Sequence, residues 1–155
     1  MSPALKEELK QNRPFTSLQE EAQLNILRTG NVVNDALERV LKPHGITGTQ
    51  YNVLRILRGA EPAGLCRNEV RDRLLNRMPD ATRLLDRMED AGLVKRSREG
   101  EDRREVRARI TPEGRKLVDG LDSVAANEHQ RQLGHLSGDK LELLISLLTQ
   151  VRNPV

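Results

Sequence analysis

Apolar residues at Ile26, Val33, Leu37, Val40 and Leu41 recur with the helical period and form one stripe. Ser17-Leu18-Gln19-Glu20 supplies a capping-box start for this helix, and Pro43-His44-Gly45 supplies its end. Thr47-Gly48-Thr49-Gln50 is a second box. It opens a short helix with Tyr51, Val53, Leu54, Ile56 and Leu57 toward its buried side. The stretch 59–64 contains Pro62 and reads as a loop. A helix is predicted over 67–75, with Val70 and Leu74 inward, then a turn over 76–79. A further helix runs to about Ala91, with Ala81, Leu84, Leu85 and Met88 as its inner face. Gly92 is the expected left-handed stop. Two short helices joined by a tight turn make a helix-turn-helix pattern.

After Gly92 the period changes from 3.6 to 2. Leu93 to Arg98 is a strand candidate, and Val106-Arg107-Ala108-Arg109-Ile110 alternates apolar and cationic residues as a half-buried strand does. The charged run 99–104 lies between them as a hairpin tip. Thr111-Pro112-Glu113 then reads as N-cap, first helical residue and acidic first turn. The helix that follows carries Leu117, Val118, Leu121 and Val124 to about Leu133. Ser137 caps a last helix with Leu141, Leu144, Leu148 and Val151 on one side. Leu143, Ile145 and Leu147 widen its apolar surface beyond one packing face, which points to a second subunit.

Composition changes the picture in three places. One Phe, one Tyr and no Trp leave too few aromatic faces for a base-stacking platform or an RNA-recognition sheet. The net charge of +3 is concentrated. Residues 67–109 hold 13 Lys and Arg against 10 Asp and Glu, and the remainder of the chain is balanced at 13 of each. Most of those cations are Arg, whose planar fork suits phosphates and guanine edges, although a solvated surface would carry the same surplus. A single cysteine, no apolar run of membrane-spanning length and no signal-peptide pattern give the expectation of a cytoplasmic protein.

From Ile46 to Leu117 the chain resembles the MarR family of bacterial regulators. The carrying residues are the unbroken run from Thr82 to Arg96 (TRLLDRMEDAGLVKR), the pair Asp102 and Arg104 at the hairpin tip, and Ile110-Thr111-Pro112-Glu113-Gly114 leading out of it. The resemblance implies a mainly α fold with a small β-hairpin wing, a winged helix-turn-helix with a helical dimerisation region. Its divisions, within a single domain, would be a mobile arm over 1–16, a first dimerisation helix over 17–45, a DNA-binding lobe over 46–111 and C-terminal dimerisation helices over 112–155. It also implies a homodimer on a palindromic operator, usually repressing, and often released by a small molecule or an oxidant.

The site residues follow from placing the predicted helix in the major groove, where side chains near its start reach base edges. Arg77, Pro79, Asp80, Thr82, Arg83 and Arg87 stand there. Arg83 and Arg87 are read as base or phosphate contacts and Thr82 as a phosphate contact. Asp80 or Asp86 would orient an arginine or accept from cytosine N4. The alternative is a solvated face on which Asp86 and Asp90 pair with Arg83 and Arg87. At the tip, Arg104 would enter the minor groove. Asp102 would hold its guanidinium in advance, as the aspartate and arginine pair in the family. Arg98 and Arg103 are read as phosphate contacts. An effector pocket, implied by the resemblance where the dimerisation helices meet the DNA-binding lobe, would draw on Leu27, Asn31, His44, Tyr51, Leu54 and Arg55.

Other chemistry finds little support. His44, His129 and His135 lack metal-ligand spacing, and no nucleophile–base set or glycine-rich phosphate loop is present, so neither an enzyme nor a cofactor is expected. Cys66 sits beside Arg67 near a helix start, which would favour a reactive thiol. The peroxide-sensing branch of the family carries its reactive cysteine in the first helix, where this chain has none, so Cys66 is read as a buried structural residue. Two further readings stay open: an effector-independent or architectural DNA-binding protein, and an interaction module that docks an acidic partner.

Overall fold

The computed structural model describes residues 4–98 and 105–154. Its elements in chain order are α1 (Leu5–Glu8), α2 (Leu18–Leu41), a 3-10 turn (Lys42–His44), α3 (Gly48–Gly59), β1 (Leu65–Cys66), α4 (Arg67–Arg73), α5 (Thr82–Asp90), β2 (Val94–Arg98), β3 (Val106–Ile110), α6 (Pro112–Leu133) and α7 (Gly138–Arg152). This is the mainly helical, winged helix-turn-helix architecture that the sequence pattern predicts.

Local chemistry sets the boundaries. Thr47 caps α3 with a complete box: its hydroxyl accepts from Gln50 N at 3.1 Å, and the Gln50 side chain accepts from Thr47 N at 3.0 Å. The box before α2 is shifted by one residue. Ser17 accepts from Glu20 N at 3.1 Å, but the Glu20 carboxylate accepts from the backbone and hydroxyl of Thr16, at 2.6 and 2.7 Å. Thr111 caps α6 by accepting from Gly114 N, with Pro112 at its first position. Gly92 has φ 75°, so the left-handed stop falls where the sequence puts it. Gly114 is required for a different reason: a Cβ there would lie 2.3 Å from the Leu93 carbonyl oxygen, so only glycine lets α6 start against the wing.

Three local differences from the sequence reading have physical causes. The sheet has three strands, ordered β1-β3-β2, because Leu65 and Cys66 pair antiparallel with Ala108 and Arg107. A two-residue strand shows no alternation to detect. The helix predicted over 67–75 ends at Arg73. Beyond it, Leu75 N donates to the Asn52 side chain at 3.0 Å and Asn76 to the Thr49 hydroxyl at 3.3 Å, so α3 supplies the partners that another helical turn would have supplied. The N-terminal stretch holds one helical turn, α1, with Leu5 buried.

The core lies where the end of α2, α3, α4, α5, the sheet and the first half of α6 meet. Leu41, Leu54, Leu57, Leu85, Met88 and Leu121 are its largest fully buried side chains. Burying a leucine completely stabilises by about 1.5–3 kcal/mol, so α3 and α5 are fixed chiefly by Leu54, Leu57, Leu85 and Met88. In contrast α7 buries no residue; Leu143 and Ile145 are 58 % and 63 % exposed.

Candidate nucleic-acid interface

Helix α5 presents its polar face because Leu85 and Met88 anchor the opposite one. Arg83 and Arg87, four residues apart, are exposed on that face, and among the described residues neither forms an ion pair. Two of the three acidic residues of the helix, Asp86 and Glu89, are directed elsewhere, while Asp90 is exposed. Asp86 does not pair with Arg83 or Arg87. It accepts from Arg96 Nη2 on β2 at 2.5 Å. Glu89 accepts from the same Nη2 at 3.1 Å and from Arg96 N at 2.7 Å. The Arg96 side chain holds the Glu89 carboxyl below its ordinary range, and its backbone N–H adds to this.

This three-residue clamp does two things. It ties β2 to α5, fixing the wing against the helix. It also draws two negative charges off the side of α5 that carries Arg83 and Arg87. Sequence reasoning missed Arg96 as a site residue, although a signal existed: Asp86 and Glu89, three residues apart, share a helix side just before a strand that carries an arginine.

The start of α5 is built by Asp80. Its Oδ1 accepts from Thr82 N at 3.1 Å and from the Thr82 hydroxyl at 2.8 Å. The Thr82 hydroxyl in turn accepts from Arg67 Nη1 at 3.3 Å. Bonds from Thr82, the hydroxyl first, hold the Asp80 carboxyl below its ordinary range. Arg77 and Pro79 are exposed on the connection between α4 and α5, and Arg98 is exposed at the end of β2. Asp102, Arg103 and Arg104 lie outside the described residues.

The two arginines of β3 hold the fold. Arg109 donates from Nε to the Pro62 carbonyl at 2.9 Å and from Nη2 to the Ala63 carbonyl at 3.0 Å. Arg107 donates to the Gly64 carbonyl at 3.2 Å and to Glu105 at 3.1 Å. They pin the loop after α3 to β3.

Between α5 and the sheet lies a cavity of ≈ 480 Å³, lined by Cys66, Arg67, Asn68, Thr82, Leu85, Arg96, Glu105, Val106 and Ala108. Cys66, expected to be buried, is half-buried there, and Glu69 accepts its backbone N–H at 2.9 Å.

The expected effector residues do not all converge. Tyr51 and Arg55 line a cavity of ≈ 250 Å³ with Arg58, Asp122, Ala125, Ala126 and His129. Leu54 lies in the core with no exposed surface, while Leu27, Asn31 and His44 are exposed on α2 and the 3-10 turn. The polar wall of that cavity is a network the sequence did not reveal, since it joins residues more than 60 positions apart. Tyr51 donates to Asp122 at 3.0 Å, and Arg58 donates to Asp122 at 2.7 and 3.2 Å and to Asp119 at 2.6 Å. Burial, followed by the Asp122 bond, raises the Tyr51 hydroxyl, while Arg58 holds the Asp122 carboxyl down. Among the described residues no group of three His, Cys, Asp or Glu is placed to hold a metal ion. Nor is any helix among them long and apolar enough to cross a membrane.

Comparison with known proteins agrees with this geometry. The family model described as MarR family matches residues 44–105, from the 3-10 turn into the wing. The MarR transcription factor from Planctomyces limnophilus is 40% identical, with 88% of this chain and 98% of that chain covered and a TM-score of 0.67. The uncharacterized HTH-type transcriptional regulator YkoM of Bacillus subtilis is 31% identical over 107 residues, 69% of this chain and 68% of that protein. The fold also matches MepR of S. aureus, solved as a DNA complex, at 23% identity with a TM-score of 0.79, covering 92% of this chain and all of that one. With this sequence agreement across most of its length, the chain belongs to the MarR family, DNA-binding transcriptional regulators and not enzymes.

Proposed function

We propose that this protein is a cytoplasmic repressor that binds a palindromic operator as a homodimer and is released by a small-molecule effector. The observation that carries the reading is the cationic outer face of α5, with Arg83 and Arg87 unpaired among the described residues and Asp86 and Glu89 drawn aside by Arg96. Residues 46–111 grip the DNA. Arg83 and Arg87 contact bases or phosphates, with Arg77, Pro79, Asp80 and Thr82 at the helix start. Arg98, Asp102, Arg103 and Arg104 form the wing contact.

The flanking segments 17–45 and 112–155 bring two copies together. Leu27 and Val32 on α2 and Leu143, Ile145 and Leu147 on α7 are each at least half exposed, and a second copy would cover such a surface. A two-fold dimer places two α5 helices in successive major grooves, which is what a palindrome reads. The cavity beside Tyr51 and Arg55 supports an effector site in reach of both α3 and α6.

Selection from a random duplex library with the full chain tests this reading. The expected product is an inverted repeat bound by two chains, about 10³-fold tighter than random duplex. Equal binding to selected and random duplexes would overturn it.

A further inference from the structure

We propose that Arg67 grips the DNA strand that crosses between α5 and the wing, and that Asp80 and Thr82 hold its guanidinium ready. The inference rests on reading α5 and the hairpin as the elements that hold DNA. A sugar–phosphate strand separates each major groove from the adjacent minor groove. A protein with a helix in one and a hairpin in the other must therefore straddle a strand, and phosphate contacts fix its register there. In this chain the space between those two elements is the ≈ 480 Å³ cavity.

The hydrogen-bonding groups around that cavity are mostly in use. The Arg96 guanidinium is engaged by Asp86 and Glu89. Glu105, the one carboxylate of the lining, accepts from Arg107 at 3.1 Å. Thr82 has a single hydroxyl proton, and it is directed at Asp80 at 2.8 Å, so the phosphate contact expected of Thr82 needs another donor. Arg67 and Asn68 remain. Arg67 is exposed at the first position of α4, and among the described residues it forms no ion pair. It spends one N–H on the Thr82 hydroxyl at 3.3 Å and keeps the others of its fork.

The chain of bonds runs in one direction. Asp80 accepts from Thr82, which orients the hydroxyl lone pairs toward Arg67, which is thereby held over the cavity mouth. A guanidinium fixed before DNA arrives loses less rotamer freedom on binding. The Glu69 bond to Cys66 N steadies the backbone from which Arg67 projects.

Salt-dependent binding of the full chain to two fluorescein-labelled duplexes, one of random sequence and one selected by the wild-type protein, tests the proposal. Arg67→Gln is expected to weaken both by about tenfold per subunit and to lower the slope of log affinity against log salt by about 0.9 per subunit. Arg83→Ala is the contrast, with its larger loss on the selected duplex. Thr82→Val should weaken binding by about threefold in wild-type background and add nothing to Arg67→Gln. Matching thermal unfolding curves confirm that the variants are folded. An unchanged slope in Arg67→Gln, with Arg83→Ala still impaired, would overturn the grip. Additive losses in the double variant would overturn the holding role of Thr82. Wild-type protein that binds neither duplex would overturn the DNA reading and the Arg67 grip with it, whereas an unchanged slope overturns the grip alone.

Discussion

Arg83 and Arg87 of α5 and three of the sheet's four arginines stand within thirty positions of one another and are used in opposite ways. Arg83 and Arg87 project from a helix face with no ion-pair partner among the described residues. Arg96, Arg107 and Arg109 are spent on protein groups: two carboxylates of α5, the carbonyls of Pro62, Ala63 and Gly64, and Glu105. A count of cations along this stretch treats all five alike. The difference shows that an interface depends on which charges the fold leaves uncommitted, and that neutralising the acids nearby matters as much as supplying the cations.

The largest expected effect is on the uncommitted side. Arg83→Ala should weaken binding to a selected duplex by about 1–3 kcal/mol while leaving the urea midpoint of unfolding unchanged. A shifted midpoint with intact binding would assign Arg83 to the fold and erase the comparison. Arg96→Met should act on both sides at once. It releases Asp86 and Glu89 beside α5 and frees β2, so stability should fall by about 1 kcal/mol, a figure reduced for the partial exposure of the acids. DNA affinity should fall by a similar amount, and Asp86→Asn in the same background should restore part of it. Arg109→Ala should cost about 1 kcal/mol of stability with no change in the salt slope of DNA binding. A reduced slope would show that Arg109 also reaches phosphate.

The smallest effect belongs to a pair away from the interface. Glu128 is buried on α6 and accepts from Arg131 at 2.5 Å and Gln132 at 2.8 Å. Chiefly through Arg131, its carboxyl is lowered from 4.5 to about 2. A carboxylate with a depressed folded-state value stabilises fully above its unfolded value and loses that contribution as pH falls through the folded one. Stability attributable to Glu128 should therefore decline between pH 4.5 and about 2, and Glu128→Gln should flatten that part of the urea-midpoint curve.

Much of the interface is legible along the chain because its signals are local. The Thr47 box, the Gly92 stop, the change of period into β2 and β3 and the Thr111-Pro112 start each lie within a few residues of the backbone they shape. The outward placement of Arg83 and Arg87 follows from the inner face of Leu85 and Met88. The Arg96 clamp, the pinning of the 60–64 loop by Arg107 and Arg109 and the Tyr51–Asp122–Arg58 network are not legible in the same way. Their partners are separated by seven to more than 60 positions, and a charged side chain says nothing by itself about which partner it will meet. The Asp86 case shows the limit well. Helical spacing offers it Arg83 and Arg87 as neighbours, yet Arg96, a cation on an adjacent strand that also brings a backbone donor to Glu89, takes both carboxylates.

By itself, the sequence determined the order of the main helices and the two wing strands, the Thr47 and Thr111 caps, the Gly92 stop, the inward faces of the helices and the family resemblance. These rest on period, propensity and short-range hydrogen bonding. Only the tertiary structure decided which arginines are free. Charge pairing depends on distances through space, and packing the sheet against α4 and α5 is what sets those distances. That packing commits Arg96, Arg107 and Arg109 to the fold and places Arg67 beside Thr82 at the edge of the cavity.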